Sequence, residues 1–466
     1  MNTVIWWIRR DLRLIDNAAL KAADPQGRLV LPVFVLDPVL LDKEAPRRKA
    51  FLIEGLRRLA DDLRHCGSRL IVRSGSPLDE LTRLVQETGA SAIYTEEDYS
   101  PYARRRDETA ARHLPLRLVA GLTFHHPLSV VKQGGTPYTV FTPFSKAWKA
   151  LSPPAAVDEL PPHFFQPPPP DLTSVNLPPT EGSVKEFPAG GEEASRRLER
   201  FFRSSVGKYH LQRDRLDLDG TSQLSPYLHF GMLSIRRVIW RVQQIIQGTP
   251  NPQVKKGAET WLNELIWREF YHSILYHFPF VQKEAFRSDL RRFPWRDSAL
   301  DLEAWKYGRT GYPVVDAAMR QLLATGWMHN RGRMIAASFL VKDLLINWQE
   351  GERWFMQQLV DGDLAANNGG WQWTAGVGTD AAPYFRIFNP ILQGMKFDPE
   401  GDYIRRWVPE LAPLPLPYVH EPWRLTADLQ QRYGCRLGVT YPYPIVDHAA
   451  ARERALAAYQ SARNSA

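Results

Sequence analysis

The segment DGDLAANNGGWQW (361–373) holds the densest chemistry in the 466-residue chain. It places Asp361, Asp363, Asn367 and Asn368 within eight residues, then Gly369 and Gly370, then Trp371 and Trp373. Carboxylates and amides can hydrogen-bond the N–H groups and ring nitrogens of a heterocycle. Glycines let backbone approach a ligand closely, and indoles stack on flat rings. The same composition also suits a helix end with Asp and Asn caps and a glycine stop.

A second cluster is GTSQLSPYLHFG (220–231), where Thr221, Ser222 and Ser225 supply hydroxyls and Pro226 signals a helix start at Ser225. Hydroxyls beside the free N–H groups of a helix N-terminus make an anion site, although an ordinary cap uses the same residues. Upstream, Tyr209 and Arg213 are four apart and share one face of a possible helix. In AETWLNELIWREFYHSILYHF (258–278), Trp261, Glu264, Trp267, Arg268 and Tyr271 recur at three- and four-residue steps. Such aromatic stripes are usually core. A glutamate inside one must, if buried, be paired (Arg268 is in reach) or titrated, so Glu264 is a site candidate. Asn330, Arg333 and Met334 face one way along a helix predicted over 330–348.

Several signatures are missing. The chain has no H-E-x-x-H, no G-K-[ST] phosphate loop, no G-x-S-x-G elbow and no C-x-x-C. This counts against hydrolase, NTPase and metalloenzyme chemistry, and His125-His126, on a strand-like segment, reads as structural.

The elements that position these residues fall into two patterns. VIWWI (4–8), VLPVFVL (30–36), RLIVRSG (69–75) and AIYTEED (92–98) have strand length, and 50–65 and 78–89 have helical spacing. Strands alternating with helices predict a Rossmann-like α/β domain over 1–130. No G-x-G-x-x-G follows the first strand, so a dinucleotide fingerprint is absent. Between Pro153 and Pro188, 11 of 36 residues are proline, which reads as the extended core of a connector over 131–193. From 194 to 466 the apolar spacing is helical, with helices expected at 234–247, 258–278, 314–326 and 330–348.

Composition bounds the class. With 24% charged and 44% hydrophobic residues the chain is an ordinary globular protein. Two cysteines, Cys66 and Cys435, exclude a disulfide framework and suit a reducing compartment. No stretch approaches the ~20 apolar residues of a membrane span and no signal peptide opens the chain, so a cytoplasmic protein is expected. The net charge of +8 lies mostly in residues 1–150, with 23 basic against 17 acidic groups. Local basic runs occur at 287–296 and 317–342, interleaved with aromatics, as a nucleic-acid groove or solvated helix faces would have. Twelve of the 15 tryptophans lie after residue 200.

Together WLNELIWREFY (261–271), TGYPVVDAAMRQL (310–322), GWMHNRGRM (326–334) and DGDLAANNGGWQW (361–373) resemble the photolyase/cryptochrome family. The likeness extends from WIRRDLRL (7–14) to VHEPW (419–423) and is strongest to class I cyclobutane pyrimidine dimer photolyases. It implies an all-α FAD-binding domain after the α/β domain, and light-driven repair of dimers in UV-damaged DNA. Electron transfer would run from excited reduced FAD to a flipped-out dimer. By motif, FAD would be held by Tyr209, Thr221, Ser222, Gln223, Leu224, Ser225, Trp261, Arg268, Arg333, Asp361, Gly362 and Asp363, with Asn367 beside the reactive flavin nitrogen. The dimer and DNA would meet Arg213, Glu264, Trp267, Tyr271, Asn330, Arg331, Met334, Trp373 and Gln393. Trp371, Trp348 and Trp295 match an electron relay, inner to outer.

The resemblance also implies a second, light-collecting chromophore. DYSPYARRRD (98–107), with Arg48, looks like the deazaflavin type, with folate, FMN or an empty site as alternatives. A monomer with no metal and no obligate protein partner is expected. The rival readings are a signalling cryptochrome, a (6-4) photolyase and a light-independent flavoprotein oxidoreductase. Asn367, and Asn330 in place of a second histidine after His329, argue against the first two, and the third lacks a nicotinamide site.

Overall fold

The computed structural model describes residues 2–23, 28–41, 44–154, 166–180 and 185–464. By density of contact the chain forms two compact units, Met1–His210 with Ser222–Pro279, and Leu211–Thr221 with Phe280–Ala466.

The first unit is built on five parallel strands: β1 (Asn2–Ile8), β2 (Arg28–Leu36), β3 (Ile71–Ser74), β4 (Ala92–Glu96) and β5 (Leu116–Val119). Their order is β3-β2-β1-β4-β5. Every residue of Val4–Ile8 is buried, because helices on both faces of a parallel sheet demand unbroken apolar runs rather than alternation. The helices Pro46–His65, Pro77–Thr88 and Pro101–His113 each open on proline, where a missing N–H is harmless. The α/β class and the helical remainder are as the sequence predicted.

Strand order reverses between β1 and β4, and charged side chains converge beyond their carboxyl ends. Arg9 forks onto Asp107 at 2.6–2.7 Å, and the Arg9 and Arg106 guanidinium groups lie 4.8 and 4.7 Å from the Trp7 ring. Tyr102 donates to Asp37 at 2.5 Å. Burial would raise the Asp98 pKa, but Arg10 and Arg9 hold it at about 2.

The proline-rich connector has a definite place where it is described. Arg69 donates to the carbonyls of Pro169 and Leu172, Ser174 Oγ accepts from Val72 N–H at 2.9 Å, and Val175 N–H donates to Val72 O. Residues 169–175 thus give the β3 edge its missing partners. Of the rest of the connector, 155–165 and 181–184 lie outside the described residues, and Phe141–Ala150 is an α-helix rather than extended chain, because its prolines cluster only after residue 152.

The helix Pro252–His277 starts on the Asn251 cap and runs 26 residues, six longer toward the N-terminus than the periodicity suggested. Its Glu269 is 2% exposed and accepts from the backbone N–H groups of Phe124 and His125 and, at 2.6 Å, from Trp148 Nε1. That explains a departure from expectation: His125-His126 is not on a strand, because a side chain claims the N–H groups a ladder would use. The chain bends there, and His126 Nδ1 accepts from Leu128 N–H as a 3-10 turn begins.

In the second unit the helix expected over 330–348 is broken. An α-helix (Asn330–Ser338) passes into one π turn (Phe339–Asp343), Leu345 adopts φ +56°, and Asn347 caps a new helix, Trp348–Gln358. All residues from Ile335 to Ile346 are buried, the charged Lys342 and Asp343 of the π turn among them, so burial continues unbroken through the break. Tyr209 and Arg213 do not share a helical face either. The turn Tyr209–Gln212 ends first, with Gln212 O accepting from Arg215 N–H. Among the described residues no cluster of metal ligands occurs and no helix is long and apolar enough to cross a membrane.

Glu269→Ala would strand three buried donors, at ~1–3 kcal/mol each. A loss of at least ~3 kcal/mol in denaturant unfolding is expected, with Glu269→Gln recovering part of it because one acceptor oxygen remains.

Candidate functional site

The helix Leu364–Ala375 resolves the first ambiguity of the sequence. DGDLAANNGGWQW is a helix start: Asp363 Oδ1 accepts from Ala366 N–H at 3.0 Å, and both glycines lie inside the helix. A Cβ on Gly370 would meet nothing within 4 Å. The helix therefore presents bare backbone at Gly370 beside half-buried Asn367 and Trp373. A flat ring can lie against it.

The opposite face is locked by amides. Asn368 donates to Val281 O and to Glu352 Oε1, both at 3.0 Å. Gln372 donates to the carbonyls of Val281 and Glu284 and accepts from Phe286 N–H. Asn367 donates to Glu352 O at 3.1 Å, which fixes its amide plane and leaves its carbonyl oxygen and second N–H to offer elsewhere. Burial pushes the Glu352 carboxyl up to about 7 against the opposing pull of Asn368 and Arg353.

Arg333 pairs with Asp361 at 2.8 Å, as the motif implied, and its Nε donates to Met328 O. The Asp361 side chain is 2% exposed and the Arg333 side chain 25%, so a buried carboxylate is held by a half-buried, oriented guanidinium. Trp371 sits where Gly351 leaves room: a Cβ there would lie 2.1 Å from the indole. Trp371 and Trp348 are buried, and Trp295 is only partly so, packing on the same core with Phe293 at 4.2 Å. Trp305, which sequence reasoning passed over, stands edge-on to Trp371 at 5.9 Å.

Asn330 and Met334 do share a face, with Nδ2 3.7 Å from Sδ. Arg331 pairs with Asp214 at 2.8 Å and lies 4.4 Å from the Phe397 ring, so it already has an acidic partner. His329 caps this helix by accepting from Arg331 N–H, and burial pulls its pKa to about 4, which keeps the ring neutral. Half-buried Gln393 lies in the helix Pro390–Phe397, capped by Asn389. Sequence reasoning missed a neighbouring loop: Ala382 N–H donates to Trp373 O, and Phe385 on that loop is 62% exposed. The only signal in the sequence was an aromatic beside an arginine in a segment without helical spacing. Thr221 is half-buried.

Within the first unit, Ser225 does start a helix, Ser225–His229, with Pro226 in its first turn. The preceding Leu224 cannot cap it, and Gln223 has φ +51° and receives Arg197 at 3.4 Å. Tyr209 and Trp261 are buried around Phe201, at 5.7 and 4.8 Å between ring centres. Arg268 donates to Leu122 O. Glu264 is half-buried; the fully buried glutamate of the helix is Glu269, whose carboxyl burial pushes up. Trp267 is half-buried, with Tyr271 at 5.6 Å.

Two family models match the chain: "DNA photolyase" over residues 4–163 and "FAD binding domain of DNA photolyase" over 261–461. The deoxyribodipyrimidine photo-lyase of Escherichia coli (strain K12) is 41% identical over 483 residues, covering 99% of both chains. A bacterial class III photolyase from Agrobacterium tumefaciens superposes with a TM-score of 0.92 at 39% identity, over 100% of this chain and 98% of that one. A cryptochrome from Synechocystis sp. PCC6803 gives 0.89 at 31%, over 98% and 99%.

The Glu352 carboxyl makes a pH prediction. Its folded pKa, about 7, exceeds the ordinary 4.5, so the folded state binds the proton more tightly. Its contribution to stability is full below ~4.5 and is lost as pH rises through ~7. Glu352→Gln removes this dependence. Urea unfolding should show the variant gaining on the wild type between pH 5 and 8, and parallel curves would contradict the assignment.

Proposed function

The chain belongs to the photolyase/cryptochrome family, and from that premise we propose that it repairs cyclobutane pyrimidine dimers in UV-damaged DNA with light. The carrying observation is the helix Leu364–Ala375, with bare backbone at Gly370 on one side and a buried tryptophan on the other.

FAD, when bound and reduced, supplies the light-driven electron that splits the dimer. The residues present suit it. The Arg333–Asp361 pair and the Asp363 cap offer charge and hydrogen bonds, and the bare backbone at Gly370 offers room for a flat ring. Tyr209, Thr221, Ser222, Gln223, Leu224, Ser225, Trp261, Arg268 and Gly362 complete the proposed cofactor set. Asn367, its plane fixed by Glu352 O, would offer its remaining amide hydrogen-bonding groups to the ring. Trp267 and Trp373 stack on the flipped-out dimer, and Glu264 hydrogen-bonds it. Tyr271, Asn330 and Met334 are the further proposed dimer contacts, and Arg213, Arg331 and Gln393 the proposed DNA contacts. Arg331 would exchange Asp214 for phosphate. The exposed Phe385 is suited to fill the gap that a flipped base leaves in the stack.

The proposed division of labour is an antenna domain (1–130), a connector (131–193) and a catalytic domain (194–466). A deazaflavin-type second chromophore would sit beyond the carboxyl ends of β1 and β4, where Asp98, Tyr102, Arg106 and Asp107 gather. A mass spectrum of extracted chromophores tests its identity. The protein works as a cytoplasmic monomer. The likeness to a cryptochrome favours a signalling role as the second reading. Illumination of the purified protein with dimer-containing DNA separates the two: restored thymines support repair, and their absence supports signalling.

With an external reductant supplying the electrons, Trp295, Trp348 and Trp371 would relay them inward to oxidised flavin under light. Trp371→Phe keeps an aromatic ring and should cost ~1–3 kcal/mol of stability. Phe is much harder to oxidise, so the variant should bind FAD yet fail to photoreduce it. With flavin first reduced chemically, it should still repair dimers. Photoreduction at the wild-type rate would reduce Trp371 to packing.

A further inference from the structure

In dimer repair Trp267 is the indole that stacks on the flipped-out dimer, and the role inferred for its neighbour Phe141 depends on that assignment. The indole is not a plate with two open faces. The Phe141 ring lies against it, parallel within 4° and 3.7 Å away between centres. No third ring fits into that spacing, so only the far side of this half-buried indole is left for stacking.

The pair is held from several directions. Phe270 meets both rings edge-on, 6.0 Å and 80° from Phe141 and 5.6 Å and 84° from Trp267. Phe141 is the first residue of the helix Phe141–Ala150, and that helix is pinned further along. Its buried Phe144 packs on Phe270 at 5.2 Å, and its Trp148 donates to Glu269 at 2.6 Å. Core filling alone is a poor account of Phe141. Both members of the stack are only half-buried, and the preceding Val140 is 44% exposed.

An indole with two open faces stacks on any unpaired base, because every base has a π-face. Closing one face and fixing the plane leaves a single base fewer ways to stack and lowers the ordering cost of a partner that matches that one plane. We propose that Phe141 is a specificity-determining residue of dimer repair, which restricts Trp267 to one face in one plane and so favours two linked pyrimidines over single unlinked bases.

The test compares Kd for one single-stranded oligonucleotide with and without a cyclobutane dimer, in wild type, Phe141→Leu, Phe141→Tyr and Trp267→Leu holoprotein. Flavin content and thermal midpoint are measured alongside. Phe141→Leu should weaken dimer binding about 3- to 10-fold while leaving dimer-free binding unchanged or tighter, so the ratio falls. Phe141→Tyr should keep the ratio. A merely structural role would lower both affinities together. An unchanged ratio in Phe141→Leu, with Trp267→Leu weakened, overturns this inference alone. Trp267→Leu with full dimer affinity overturns the stacking role of Trp267, and the inference with it. Should Phe141→Leu not fold, Phe141→Met is measured instead, and a wild-type ratio there overturns the proposal equally.

Discussion

Glu269 is the interaction on which the first unit turns. A carboxylate removed from water is costly unless donors replace what it lost, and Glu269 recovers three of them. Those donors belong to a bend after β5 and to a helix more than 100 residues upstream of it, so one side chain gathers three separate segments. It also sets rotation. At about 100° per residue, Glu269 is about 200° around the helix from Trp267 and about 140° from Glu264. Drawing Glu269 inward therefore turns the other two toward the surface, where both are half-buried.

Much of this was legible because it follows from periodicity. Parallel strands buried on both faces must read as apolar runs, and VIWWI and VLPVFVL do. The spacing around Glu264 and Trp267 placed both on one helix, and the Asp361–Arg333 pair followed from motif. Interactions between distant segments stayed hidden. Nothing in the residue type or local spacing of Phe141 or Glu269 indicates a partner 126 or 145 positions away. The break at Leu345 was missed for another reason: it happens inside the core, where Lys342 and Asp343 fit a helical spacing and only their burial sets them apart from a solvated face. One-turn elements such as Tyr209–Gln212 are too short for spacing to define.

The helix Leu364–Ala375 shows how a chain with no glycine-rich phosphate loop can still present bare backbone. Two adjacent glycines inside a helix cost roughly 1 kcal/mol each relative to alanine. The loss is offset on the other side by Asn368 and Gln372, which tie the helix to the carbonyls of Val281 and Glu284. Rigidity here comes from polar bonding in the core, which permits an open face without a floppy helix.

The connector along β3 has a consequence in time. Val72 N–H bonds to Ser174 Oγ, 102 residues later. Chains leave the ribosome at about 5–20 residues per second, so during synthesis the β3 edge waits roughly 5 to 20 s for its cover. Through that interval it offers unpaired donors and acceptors to any extended chain nearby, including one from the neighbouring ribosome on the same message. The prolines at 167–170 lead into and begin the covering segment and cannot themselves donate to a ladder. Nascent chains are thus exposed to strand exchange at one edge and for a bounded period, and finished molecules have that edge closed by their own backbone.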